Sequence, residues 1–141
     1  FEPSISNSIS MEIRELTKAE EEIMQVLWTL QKAFVKDIID ELSEPKPAYN
    51  TVSTIVRILE QKGFIAHNAF GKTHQYFPAI SKEDYRRFVT DKLMTGYFGS
   101  SPRAMLSFFM QEQQIGINET DELLKLIEQI KKGTGNYMLD A

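Results

Sequence analysis

Cysteine is absent from the 141 residues of this chain. That absence excludes a disulfide framework, a thiolate metal site and a thiol nucleophile. It suits a reducing cytoplasm, which is the expected location. No apolar run approaches the ~18 residues that a membrane span needs, so no membrane partner is expected. Phe1 to Ser10 is rich in serine and lacks the basic start and apolar block of a signal peptide. It reads as a tail or cloning remnant, with Met11 as a natural start, and residues 1–15 are set outside the fold. Gly96, Gly99 and the later glycines fit neither dinucleotide-binding nor P-loop spacing. Histidine is scarce: His67 and His74 are the two in the chain. Nothing places a base beside a nucleophile, so the expectation is no enzyme and no cofactor.

What the chain does have is enough apolar character for a packed core, at 42%, beside an ordinary 26% of charged residues. Its length fits one domain or two small ones sharing an interface. The net charge of −4 argues against a nucleic-acid partner. The distribution argues for one. Residues 45–79 carry Lys46, Arg57, Lys62 and Lys72 against Glu60, a net +3 inside an acidic chain. Local fields weigh more than totals in the choice of partner.

The order of elements is legible. Thr17-Lys18-Ala19-Glu20 is a capping box. Ile23, Val26, Leu27 and Leu30 follow at helical spacing, flanked by Met24 and Trp28, so a first helix is expected over 18–31. Val35, Ile38, Ile39 and Leu42 predict a short second helix ending before Pro45. A third is expected over 48–61, with Gly63 as the residue just past its end. Two β-prone runs, 64–67 and 73–78, flank a turn containing Gly71 and predict a hairpin. Helix-turn-helix followed directly by a hairpin is the order of a winged helix. The expected fold is therefore mostly α with a small β-hairpin wing, and residues 16–80 form the winged-helix domain.

On the third helix Val52, Ile55, Val56 and Leu59 cluster on one side at ~100° per residue. Asn50, Ser53, Thr54, Arg57 and Gln61 cluster on the other. Arginine can pair with guanine through two hydrogen bonds and asparagine can do the same with adenine. A carboxylate there would be repelled by phosphates. A solvated face is the alternative, although such faces are usually richer in glutamate. Lys72 beside Gly71 stands at the hairpin tip, within reach of a phosphate or the minor groove. Lys46 and Tyr49 precede or open the third helix and could anchor a phosphate; Tyr49 could equally be a packing residue. His67 and His74 on the hairpin could face each other, but no acid from the same segment completes a metal set, and hydrogen-bonding or phosphate-facing roles are preferred.

Beyond Pro78 the character changes. Ser81 to Asp84 resembles a helix start, with Tyr85, Phe88, Val89 and Leu93 behind it. Gly96, Gly99 and Pro102 break that helix, a fifth carries Met105, Phe108 and Phe109, and Asn118 is expected to cap a sixth. Residues 81–132 hold too little mass to cover their own apolar faces. Leu93, Phe108, Phe109, Leu123, Leu124, Ile127 and Ile130 are the candidate contacts of a helical dimerisation domain. The alternative is that these helices fold back on the first domain. Residues 133–141 are expected to be a flexible tail.

The stretches 16–28 (LTKAEEEIMQVLW), 49–65 (YNTVSTIVRILEQKGFI) and 67–78, with its Gly-Lys and Gln-Tyr-Phe-Pro, resemble penicillinase repressors of the BlaI/MecI type. The resemblance runs from about Leu16 to Lys132. It implies a homodimeric winged-helix repressor that binds an inverted-repeat double-stranded DNA operator and holds down antibiotic-resistance or related stress genes. It places Asn50, Thr51, Ser53, Thr54 and Arg57 on the recognition helix and Gly71 and Lys72 on the wing. It also implies a sensor-linked protease that cuts in the fifth helix within an Asn-Phe sequence. Here Ser107-Phe108 stands at that place, with serine instead of asparagine, which puts this mode of induction in question. A copper-responsive branch uses cysteines near its C-terminus, which this chain lacks. Two other readings stay open: a winged helix that binds protein rather than DNA, and one that senses a small ligand between its two regions.

Overall fold

The computed structural model describes residues 13–133. Their elements are α1 (Lys18–Leu30), α2 (Val35–Glu41), α3 (Tyr49–Gln61), β1 (Ile65–Phe70), β2 (Thr73–Pro78), α4 (Lys82–Tyr97), α5 (Pro102–Gln113) and α6 (Ile117–Gly133). The expected tail beyond Gly133 lies outside the described residues. The chain divides into two compact units, between Lys92 and Leu93 within α4. The first unit therefore runs past residue 80. The cause is aromatic: Tyr85 is buried and sits 5.9 Å from Trp28 and 5.7 Å from Phe64, centroid to centroid.

The first unit is a winged helix. Strands β1 and β2 pair antiparallel from Ile65↔Pro78 to Phe70↔Thr73. Ala33, between α1 and α2, adds a short bridge to Tyr76, with N–H to carbonyl distances of 2.9 and 2.8 Å. The core joins Ile23, Met24, Leu27 and Trp28 of α1 to Ile38 of α2 and to Val52, Val56 and Leu59 of α3. The buried face of α1 is thus rotated from the expected stripe. Val26 lies at its margin and Leu30 is exposed. Trp28 draws its side inward, because its indole N–H donates to the carbonyl of Ile80 at 2.9 Å. Ile13 is also buried, so the ordered chain reaches into the segment read as a tail. Leu16 donates its N–H to the buried Tyr85 hydroxyl at 2.9 Å, which secures that segment.

Glu20 links two helices. Its carboxylate accepts the Thr17 N–H at 2.9 Å and completes the capping box. It also accepts from Lys62 Nζ at 2.8 and 3.0 Å, tying the end of α3 to the start of α1. Burial pushes the Glu20 carboxyl up, but the hydrogen bonds from Lys62 and Thr17 and the charge of Lys62 outweigh it and hold it below the usual range. A carboxyl lowered in the folded state stabilises above its unfolded value and stops doing so as pH falls through its folded value. Glu20→Gln is accordingly expected to cost about 1–3 kcal/mol at pH 7. The gap to wild type should shrink below about pH 4. Urea unfolding of both proteins at pH 7 and pH 3.5 measures this, and a gap independent of pH would refute the assignment.

In the second unit α5 starts at Ser101, whose hydroxyl accepts the Ala104 N–H at 3.0 Å, with Pro102 in the first turn. Helix α6 starts one residue before the expected cap. Asn118 lies inside its first turn, and the Gly116 carbonyl accepts the first N–H, from Thr120 at 3.0 Å. Phe98 and Phe108 pack with centroids 5.6 Å apart. None of the described residues from Leu93 onward is buried. No helix among the described residues is long and apolar enough to cross a membrane.

Candidate nucleic-acid interface

Helix α3 owes its position to its end. Gly63, at φ 87, takes the left-handed conformation that a side chain would oppose. Its N–H reaches the Glu60 carbonyl at 3.0 Å, and the Phe64 N–H reaches that of Leu59 at 3.0 Å. These two bonds form a Schellman motif, and the accompanying pair Leu59 and Phe64 is fully buried. With Val52, Val56 and Leu59 turned inward, Asn50, Thr51, Thr54 and Arg57 are exposed and Ser53 is half-buried. Gln61 is exposed too, so that face holds amides, hydroxyls and a guanidinium.

The hairpin stands beside this face. Gly71, at φ 62, and Lys72 form the two-residue turn between Phe70 and Thr73. A glycine in the first position suits the twist of such hairpins. Both turn residues are exposed. Between α3, β2 and the start of α2 lies an open groove of about 560 Å³. Tyr49, Ser53 and Arg57 line one wall, Lys72, His74 and Tyr76 another, and Lys36 and Asp37 the third.

Two of the four basic residues counted in the sequence point elsewhere. Lys62 is held by Glu20. Lys46 donates to the carbonyls of Asp40 and Leu42 and so caps the end of α2. Arg57 and Lys72 remain at the groove, and Lys36 joins them. Sequence reasoning missed Lys36 because the second helix was read for its apolar stripe alone. Its place beside the helix start was the available signal.

The histidines do meet, though not around a point. His67 and His74 are diagonal across the hairpin, and their rings stack 3.9 Å apart at an interplanar angle of 5°. His67 Nδ1 lies 2.6 Å from Glu60 Oε2. A carboxylate only accepts, so Nδ1 carries the proton in that bond. Among the described residues no group of three or more histidine or acidic side chains is placed to hold a metal. Tyr76, edge-on to both rings, is buried. Burial pushes its phenol up, and Glu60 adds to this against the pull of Arg57, so Tyr76 stays a neutral hydroxyl.

The penicillinase repressor family model matches residues 16–129. This chain belongs to the penicillinase repressor family. Membership places it among transcriptional repressors, not enzymes. It is 26% identical to the penicillinase repressor of Bacillus licheniformis over 84% of this chain and 94% of that protein. It is 23% identical to the methicillin resistance regulatory protein MecI of Staphylococcus aureus, over 80% of this chain and 93% of that one. Among solved structures, monomeric BlaI of Bacillus licheniformis in complex with the blaP half-operator is 31% identical. The alignment covers 52% of this chain and 90% of that one, with a TM-score of 0.44.

The second unit of this repressor offers apolar surface. Leu93, Phe108, Phe109, Leu124 and Ile127 are exposed, and Leu123 and Ile130 are half-buried. Ser107 is exposed next to Phe108 on α5.

Proposed function

We propose that this repressor acts in the cytoplasm as a homodimer on an inverted-repeat DNA operator, and that it controls antibiotic-resistance or stress genes. One observation carries the reading: an exposed α3 face of Asn50, Thr51, Thr54 and Arg57, without a carboxylate among them, beside a wing tipped by Gly71 and Lys72. Pairing through the uncovered apolar side chains of the second unit would set two α3 helices about one DNA turn, ~34 Å, apart. Each would read one half-site, and Tyr49, Ser53 and Lys72 would contact the backbone. A dimer seated over a promoter blocks transcription by occupancy. Ser107-Phe108, exposed on α5, is the candidate stretch for a sensor-linked protease, and its serine in place of asparagine leaves that mode of induction in question.

The test is footprinting on the DNA upstream of the repressor's own gene, with a scrambled duplex for comparison, at physiological salt. A protected inverted repeat preferred by ~10³-fold or more is expected. Weak binding that disappears with modest salt would leave only a basic patch and move a protein-binding role to the front. Arg57→Ala should cost ~1–3 kcal/mol of operator affinity and relax base preference, as measured by titration against single-base operator variants. Unchanged affinity would remove Arg57 from the interface.

A further inference from the structure

The groove holds more chemistry than base reading alone uses. Its walls bring Lys36, Arg57 and Lys72 together against one acid, Asp37. That acid is already engaged, because Asp37 accepts the Phe34 N–H at 3.0 Å. The groove is open, and it flanks the exposed side chains of α3. His74 faces into it, exposed, with its ring flat against His67. Glu60 in turn holds His67. Glu60, His67 and His74 thus form a chain from the half-buried Glu60 near the end of α3 to the groove wall, and the last ring has its plane set.

We infer that this groove seats a backbone phosphate of the bound DNA and that His74 grips it as an imidazolium. The inference rests on the operator-binding reading above. Histidine is the side chain whose ordinary charge change falls between pH 5 and 8. Lys36 and Asp37 from α2, Tyr49 and Arg57 from α3, and Lys72 and Tyr76 from the turn and β2 line the same groove, and His67 from β1 stacks on the ring with Glu60 of α3 bonded to it. The Glu60 carboxylate bonds His67, not His74. A phosphodiester anion in the groove favours a positive charge on the adjacent His74 ring. DNA binding is then coupled to uptake of a proton, and affinity rises as pH falls. The contact is to the backbone, so the coupling accompanies any duplex, specific or not.

The experiment uses the full chain and a duplex of the DNA upstream of its own gene, at constant ionic strength, at pH 8 and pH 6. Calorimetry in two buffers of different ionisation enthalpy counts the protons. Wild type should bind roughly five- to tenfold tighter at pH 6, a histidine-sized linkage, with net proton uptake. His74→Gln should bind no more tightly than wild type at pH 8 and should lose the gain in affinity between pH 8 and pH 6. His74→Lys, with a permanent charge, should bind at pH 8 as tightly as wild type does at pH 6. Circular dichroism and melting confirm that both variants fold, and a purely structural role for His74 would not produce this pattern. Pronounced pH dependence in His74→Gln equal to that of wild type overturns the proposal. So does wild-type binding that is tight but independent of pH, which leaves the repressor reading standing. Absence of binding at either pH overturns both.

Discussion

Leu124→Glu should convert the proposed dimer to a monomer and lower operator affinity by ~10²-fold or more. The reason is linkage. Once one half-site is held, a dimer presents its second α3 at high effective concentration, and this adds 10²–10⁴ to the affinity of a single contact. Leu124 is 55% exposed, and Ile127, one helical turn on, is 40% exposed. A glutamate at 124 removes little from the isolated chain, since the position is already in water. In a dimer interface it would bury a carboxylate with no partner, which costs far more than the lost leucine. Sedimentation equilibrium and operator titration should change together, while melting of the first unit stays in place. A Leu124→Glu protein that remains dimeric with wild-type affinity would show that α6 is not the pairing surface.

Phe64→Ala should destabilise the first unit by about 3–5 kcal/mol, the usual cost of emptying a buried aromatic site. Phe64 is fully buried. It is the hydrophobic half of the Schellman motif that ends α3, and its ring meets Tyr85 edge-on at 5.7 Å. Its carbonyl also accepts the N–H groups of Ala79 at 2.8 Å and Ile80 at 3.2 Å, where the hairpin hands the chain to α4. One residue, through side chain and backbone together, therefore joins α3, the hairpin and the connector to α4. Set against a typical total stability of 5–15 kcal/mol, the loss is large. Thermal unfolding should show a midpoint lower by on the order of 10 °C or more. A loss below ~1 kcal/mol would mean that the surrounding side chains collapse into the space. DNA affinity should fall as well, since the wing and α3 lose their common anchor.

Much of this architecture was legible locally. Thr17 and Glu20 announce a helix start three residues apart. Gly63 announces the end of α3 because few other residues accept its backbone angle. The stripe of Val52, Val56 and Leu59 is a statement of period alone. Where the reading slipped, the deciding contact lay far away in the chain. Leu30 fits the stripe of α1 yet is exposed, while Trp28 turns in to reach Ile80. Ile13 looked like tail until the Tyr85 hydroxyl was seen to hold Leu16. Asn118 is the local exception: it has the chemistry of a cap but sits inside its helix, and the nearby Gly116 carbonyl takes the first N–H.

The interface divides in the same way. The sequence by itself determined which side chains α3 shows to solvent, since helical period and hydrophobic burial leave one face free. It also determined that the hairpin would carry Lys72 at a glycine turn. It left undecided which lysines face a partner, because a lysine's direction depends on acceptors that only the folded chain supplies. Glu20 and the α2 carbonyls claim Lys62 and Lys46, and the turn into α2 brings Lys36 to the groove instead. The stacking of His67 on His74 likewise follows from strand register, which sets diagonal neighbours seven residues apart in sequence face to face. Each of those placements depends on partners that the folded backbone brings within reach, and only the tertiary structure decided them.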